Sequence, residues 1–188
     1  MRRMNRLETI YHVAYLAGGP DRVTDTAVAG ALERKAARLG SSGVLRRTSA
    51  KPADPFVLAA VESLPKVRIA RVREVLRESE PMRALRAELL AGGLILPAVH
   101  WRRAWHAVTR REVWATKAGE RMLFLARKDP SLVTGAAGAV ALGSLGAHPD
   151  RRLARLLTLT PPSARDRAQV AVGKPPDGLT AVVDCSAG

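Results

Sequence analysis

The sequence contains little cysteine and few aromatic residues for its length. Only one of its 188 residues is cysteine, Cys185, so no disulfide can form within the chain and a reducing cytoplasm is the predicted compartment. Aromatic residues make up 4% of the chain, which favours helices packed on helices over a β-sandwich. No apolar run is long enough to cross a bilayer, and no signal-peptide core follows the basic N-terminus.

Negative charge is also scarce relative to positive charge. The chain has 31 Lys and Arg residues against 17 Asp and Glu residues, a formal net charge of +14. Such a surface favours anionic partners, which include nucleic acid, an acidic protein and an anionic membrane surface. An arginine-rich surface that is simply solvated, with no dedicated partner, is the alternative that stays open at this point.

Motifs for catalysis and for metal binding are missing from the sequence. The four histidines do not have the spacing of zinc ligands, there is no Cys-x-x-Cys pair, and no glycine loop leads into a Lys-Ser or Lys-Thr pair. Cys185 has no histidine near it in sequence that could activate its thiol. We therefore predict no metal, no cofactor and no catalytic residue, and expect that the chain is not an enzyme.

Hydrophobic periodicity and turn residues predict a mostly α-helical protein. A Gly-Gly-Pro turn at residues 18–20 separates a first helix from an alanine-rich second helix, whose apolar stripe extends over residues 23–39 and includes Leu39. A short strand follows that contains Val44 and Leu45. The first of two similar units is thereby defined as helix, turn, helix and strand.

The second unit has a helix that again passes through glycine into a short apolar strand. This helix ends at a Gly-Gly pair, and Leu94, Ile95 and Leu96 follow as a predicted strand. Gly93 is matched to Gly43, because each glycine precedes its strand. The repeat predicts two winged-helix-like modules in tandem. The predicted domains are a first module at residues 1–50, a second at 54–115, C-terminal helices at 116–160 and a flexible tail at 161–188.

The two predicted strands and a pair of tryptophans are the candidates for binding a peptide or a partner protein. A free strand edge suits the addition of a peptide as a further strand. The strand residues concerned are Val44, Leu45, Leu94, Ile95 and Leu96. Trp101 and Trp105 lie four residues apart among arginines, so they are either packing residues or part of a protein or membrane interface.

A basic helix at residues 67–77 is the candidate for nucleic-acid binding. A winged-helix protein places one helix in the major groove of DNA. The arginines predicted to lie along this helix are Arg68, Arg71, Arg73 and Arg77, of which the first three are predicted on its outside. The Asn, Gln and Ser residues that usually read bases are not interleaved with them, and Glu74 and Glu78 would repel phosphates.

Four short motifs follow one another along the chain. They are A-Y-L-A-G-G-P at residues 14–20, A-L-R-A-E-L with G-L-I-L at residues 84–96, a helix with Thr116, Gly119 and Met122, and a Gly/Ala helix around residues 140–143. In these motifs the chain resembles a family of actinobacterial proteins of uncharacterised function, over about residues 7–159. It differs at residues 100–113, where many members have transmembrane helices, and in the tail, which is often rich in Gly and Cys.

The resemblance implies that the chain acts together with an enzyme and is not itself an enzyme. Members of the family are often associated with iron-dependent oxidases that modify ribosomal peptides. The resemblance therefore implies a non-catalytic accessory protein that recognises a peptide or this metalloenzyme, or a substrate whose tail, with Asp184 and Cys185, is modified. The alternative that we retain is a winged-helix transcriptional regulator that binds DNA.

Overall fold

The computed structural model describes residues 7–62, 68–97, 115–129, 131 and 133–158. This part of the chain is mostly helical and includes one small antiparallel sheet, so the predicted fold class is confirmed at that level. The helices are α1 (Ile10–Glu33), α2 (Pro55–Glu62), α3 (Ile69–Arg77), α4 (Glu80–Ala91), α5 (Lys117–Ala126), α6 (Gly135–Gly143) and α7 (Arg151–Thr158); the strands are β1 (Ala37–Leu39) and β2 (Leu45–Arg47), and a 3-10 turn (Leu145–Ala147) lies between α6 and α7.

Helix α1 consists of two helical segments joined at a kink. Gly19 has φ of 73° and ψ of −164°, a conformation that is open almost only to glycine. Pro20 begins the second segment, where its missing N–H costs nothing because the first turn of a helix has no acceptor for it. The turn predicted at residues 18–20 is thereby confirmed.

The second segment of α1 lies at the centre of the core. Every residue from Val23 to Ala31 is buried. Helix α6 packs along this segment, and an ideal Cβ atom on Gly30 would lie 3.8 Å from the Cβ atom of Ala137. Small residues on both helices therefore allow the two backbones to approach closely. The buried apolar residues form one cluster from Leu7 to Leu157, to which both predicted modules contribute, and the predicted domain boundaries stay predictions.

Strands β1 and β2 form a hairpin directly after α1. The helix ends at Glu33 and Lys35 has a positive φ of 56°, so Leu39 lies in a strand and its assignment to the second helix was wrong. The N–H of Ala36 donates to the carbonyl of Ala31 at 2.8 Å, which satisfies a carbonyl at the helix end.

After the hairpin, Thr48 binds back to the same helix end. Its N–H donates to the carbonyl of Ala36 at 3.1 Å, and its Oγ1 donates to that of Lys35 at 2.8 Å.

A second and shorter pairing follows α4. Leu94, Ile95 and Leu96 do not form the predicted strand, because only Ile95 pairs, through an isolated antiparallel bridge to Ala115. Thr116 then repeats the bonds of Thr48. Its N–H donates to the carbonyl of Leu94 at 2.9 Å, and its Oγ1 donates to the carbonyl of the preceding glycine at 2.7 Å.

These hydrogen bonds align the two units in a different register from the predicted one. Gly93 corresponds to Lys35, since each has a positive φ at the end of a helix (67° and 56°), and Thr116 corresponds to Thr48. The matching of Gly93 to Gly43 was therefore wrong. The segment from Leu94 onward is equivalent to β1 and not to the strand that contains Val44 and Leu45.

Candidate functional site

The hairpin places its backbone groups in a defined register. Arg38 lies opposite Arg46, and Leu39 lies opposite Leu45. The N–H of Gly40 donates to the carbonyl of Val44 at 2.9 Å, so these two residues form a hydrogen-bonded pair. Hydrogen-bonded and non-hydrogen-bonded pairs alternate along an antiparallel ladder, and the pair of Leu39 and Leu45 is therefore not hydrogen-bonded. The N–H and C=O groups of Leu45 and of Arg47 therefore point away from β1. Val44 itself lies just before β2.

The two faces of the hairpin differ in polarity. Ala37 and Leu45 are buried on one face, whereas Arg38 and Arg46 are exposed directly opposite each other on the other. Like charges in such a pair destabilise a sheet. No carboxylate in the described part of the chain forms an ion pair with either arginine or with the exposed Arg47. The hairpin therefore carries positive charge that the described residues do not neutralise.

The remaining peptide-binding candidates are less accessible or lie elsewhere. Leu94 and Ile95 are buried, and the Leu94 carbonyl is already bonded to Thr116. Leu96 is 39% exposed. Trp101, Trp105, Asp184 and Cys185 lie outside the described residues.

Two of the arginines predicted for nucleic acid bind carboxylates of α1. Arg73 forms a bidentate pair with Asp25, in which Nε donates to Oδ1 and Nη2 donates to Oδ2, each at 2.9 Å. Arg77 donates from Nη2 to Oδ1 of Asp21 at 2.8 Å. Both aspartates and both arginines are four residues apart, so each pair lies on one face of its helix. The shared spacing of these four residues is a sequence signal of this pairing between α1 and α3.

The other two of these arginines face solvent, as predicted. Arg71 forms an ion pair with Glu74, one turn further along the helix, at 2.6 Å. Arg68 has no carboxylate partner in the described part of the chain. Arg73 does not lie outside as predicted, since it reaches inward to the buried Asp25. Three of the four positive charges are thus matched by carboxylates.

Burial shifts the ionisation of Asp25. Its side chain is only 6% exposed, and this burial raises the pKa of Asp25 to about 6, although Arg73 opposes the shift. Arg22 lies nearby and donates to the carbonyl of Val140 at 3.4 Å, and burial lowers the pKa of its guanidinium. Asp25 is therefore a buried carboxylate with a pKa close to neutral pH.

His12 is a second buried titratable group on α1. Its Nδ1 lies 2.8 Å from Oγ1 of Thr9, and its Nε2 lies 3.2 Å from Oε2 of Glu88 on α4. Burial lowers the pKa of His12, and the nearby Glu88 only partly opposes this shift. The imidazole therefore joins the start of α1 to α4, and its burial favours the neutral form.

A pH dependence of stability follows from the lowered pKa of His12. The unfolded chain takes up the histidine proton more readily than the folded chain, so the free energy of unfolding should fall as pH decreases below about 6.5. We expect His12→Gln to reduce this loss between about pH 7.5 and 5.5, as measured by urea denaturation. Asp25, whose pKa is raised, gives the opposite pH dependence. It is present in both the unmodified chain and His12→Gln, so its effect cancels when the two are compared. Equal losses in the two proteins would contradict the assignment.

A cleft of about 780 Å³ lies between the start of α1, the start of α2 and the start of α6. The Tyr11 hydroxyl donates to Oδ2 of Asp54 at 2.7 Å, and Arg34 donates to the same oxygen at 3.3 Å. Oδ1 of Asp54 accepts the N–H of Phe56 and so caps α2, as the sequence predicted. Burial raises the pKa of Tyr11. The polar groups of this cleft therefore bind one another and hold α1 to α2.

Two further findings concern the described residues only. None of their helices has the length and apolar character needed to cross a membrane. No group of three or more His, Cys, Asp or Glu side chains among them is placed to hold a metal ion. Comparisons with known protein families, with curated proteins and with solved structures each found no match to this chain.

Proposed function

We propose that this chain is a non-catalytic recognition protein of tandem winged-helix-like units that binds a peptide as an added strand on the β1–β2 hairpin. The observation that carries the proposal is the two-stranded sheet itself, in which each strand has one side without a partner strand among the described residues. Arg47 on β2 and the half-buried Leu39 on β1 carry the outward N–H and C=O groups that solvent can reach, whereas those of Leu45 and Ala37 are buried.

The positive charge of the hairpin favours an acidic peptide as its ligand. Arg38, Arg46 and Arg47 are exposed and have no carboxylate partner in the described ranges. A guanidinium binds a carboxylate through two parallel hydrogen bonds, so an acidic side chain on an added strand would relieve the repulsion between Arg38 and Arg46. The backbone supplies affinity in this arrangement, and the arginines supply specificity.

The family resemblance suggests what the peptide belongs to. We propose that it is part of a ribosomal peptide or of the iron-dependent oxidase that modifies it, with Asp184 and Cys185 as modification sites if the chain is itself a substrate. Co-expression with such an oxidase, followed by co-purification and mass spectrometry of the chain, tests this step. Absence of both a bound enzyme and a mass change would refute the link to such an oxidase, but not the proposal that the hairpin binds a peptide.

A proline substitution tests strand addition directly. The N–H of Arg47 points away from β1, so Arg47→Pro removes an outward donor but no bond of the hairpin. Seven-residue peptides would be selected against the full chain from a displayed random library, and their affinities measured by fluorescence polarisation. We expect Arg47→Pro to weaken binding about tenfold or more, because it removes a backbone hydrogen bond and introduces a clash.

Arg47→Ala is the matched control, since it removes the same charge but keeps the N–H. Leu39→Pro tests the β1 side in the same way. Selection of no peptide, or equal effects of Arg47→Pro and Arg47→Ala together with no effect of Leu39→Pro, would exclude strand addition.

DNA binding is retained as the second candidate because Arg38, Arg46 and Arg47 are exposed and have no carboxylate partner in the described ranges, so they are free to contact phosphates. The matched charges of α3 make it less favoured, since Arg71, Arg73 and Arg77 already bind carboxylates. Affinity for duplex DNA that falls steeply with salt, in a protein that selects no peptide, would favour this candidate.

A further inference from the structure

A cavity of about 420 Å³ lies between the start of α3, the tip of the hairpin and α7. Asp25 lines it together with Arg68 and Arg73. Leu145 and Leu156 provide apolar walls. Arg68 and Ala70 are exposed, so the cavity opens to solvent on their side. The volume falls in the range of sites for small ligands, which are mostly apolar with a few convergent polar groups.

The charges that line the cavity leave one positive charge unmatched. Asp25 and Arg73 neutralise each other through their bidentate pair. Arg68 has no carboxylate partner within the described ranges, and no other charged residue lines the cavity. A ligand with one negative charge would therefore balance the site, whereas a cation would be repelled.

We propose that this cavity binds a small amphiphilic carboxylate, with its carboxylate on Arg68 and its hydrocarbon part between Leu145 and Leu156. A guanidinium is well suited to this role because it binds both carboxylate oxygens at once. The apolar walls exclude water from the hydrocarbon part and thereby contribute the hydrophobic share of the affinity. The site lies apart from the outward strand groups that are proposed to bind a peptide, so it does not depend on that proposal.

The cavity also touches the hairpin. Gly43 at its tip lines the cavity and has a positive φ of 72°. A Cβ atom on Gly43 would lie 3.0 Å from the backbone oxygen of Leu156, so the tip packs tightly against α7. A ligand in the cavity would therefore contact the hairpin at the end away from Thr48.

Calorimetric titration of the full chain with octanoate tests the site, with octan-1-ol as the uncharged probe of the same chain length. We expect saturable binding of octanoate and weaker binding of octan-1-ol. Arg68→Gln should weaken octanoate binding about tenfold or more, since it removes a charge-assisted bidentate contact. Arg71→Gln is the matched control, because Arg71 is an exposed arginine on the same helix that does not line the cavity, and it should leave binding unchanged.

A second variant locates the site independently of charge. Ala70 is exposed and lines the cavity, so Ala70→Trp should block the cavity and abolish octanoate binding without disturbing the core. Circular dichroism would check that each variant is folded. The proposal is overturned if octanoate does not bind saturably, if octan-1-ol binds as tightly, if Arg68→Gln and Arg71→Gln have equal effects, or if Ala70→Trp binds octanoate like the unmodified chain.

Discussion

Replacing Asp25 with alanine is expected to lower the free energy of unfolding at pH 7 by about 2–3 kcal/mol. The substitution leaves Arg73 without its carboxylate partner and opens space beside the buried centre of α1. Removing one partner of a buried ion pair typically costs about 3–5 kcal/mol. Two effects reduce the cost here: water hydrates part of the Arg73 guanidinium, which is 31% exposed, and the carboxylate that is removed is one whose ionised form burial disfavours. Urea denaturation of both proteins measures the difference.

Asp21→Ala is the matched control, because it breaks the neighbouring pair with Arg77, whose side chains are 45% and 36% exposed. Its expected cost is at most about 1 kcal/mol, since exposed ion pairs contribute little. The raised pKa of Asp25 adds a second readout. The folded chain binds this proton more tightly, so the stability of the unmodified chain should fall as pH rises from about 4 to 6, and Asp25→Ala should remove that dependence. Equal costs for both variants would refute the buried pair.

Replacing Gly119 with alanine is expected to destabilise the chain by about 2–4 kcal/mol. Gly119 lies in the first turn of α5, where its N–H donates to Oγ1 of Thr116 at 3.1 Å. An added Cβ atom would clash with the carbonyl oxygen of Leu94, which also accepts the N–H of Thr116, and would press on Leu16. Backbone atoms cannot move aside without breaking this bond, so the cost lies at or above the usual range for overpacking. Thermal and urea denaturation measure it.

Gly30→Ala is the control for the same chemical change in a buried helix. An added Cβ atom there would lie 3.6 Å from Cγ2 of Val57 and 3.8 Å from Cβ of Ala137, which are ordinary contacts. Alanine should instead stabilise α1 by about 0.5–1 kcal/mol, since glycine loses more backbone entropy in a helix. A destabilisation by Gly119→Ala no larger than that by Gly30→Ala would contradict the packing of α5.

Local signals in the sequence were sufficient for the kink in α1 and for the start of α2. Gly19 and Pro20 mark the kink in α1, and Asp54 with Pro55 marks the start of α2. Strand β1 was missed because its Ala-Arg-Leu sequence continues the helical pattern of α1 and because Lys35, which is not a glycine, adopts the positive φ that ends the helix. That φ is rare for lysine, so no local signal marked the end.

The candidate site was less accessible to sequence reasoning, because it depends on which elements face each other. The positive charge of α3 was predicted. Its pairing with Asp21 and Asp25 was not, because it follows only from the packing of α3 against α1. The arginines of the hairpin were not singled out, since the opposition of Arg38 and Arg46 follows only from the register of a strand that was predicted as helix.

The two equivalent pairings differ chiefly in the length of chain between their partners. Residues 38–46 separate Ala37 from Arg47, whereas residues 96–114 separate Ile95 from Ala115, a segment about twice as long. Both pairings nevertheless end in the same backbone and hydroxyl hydrogen bonds, from Thr48 in one and from Thr116 in the other. The fold therefore accepts chain segments of quite different length at equivalent positions of its two units.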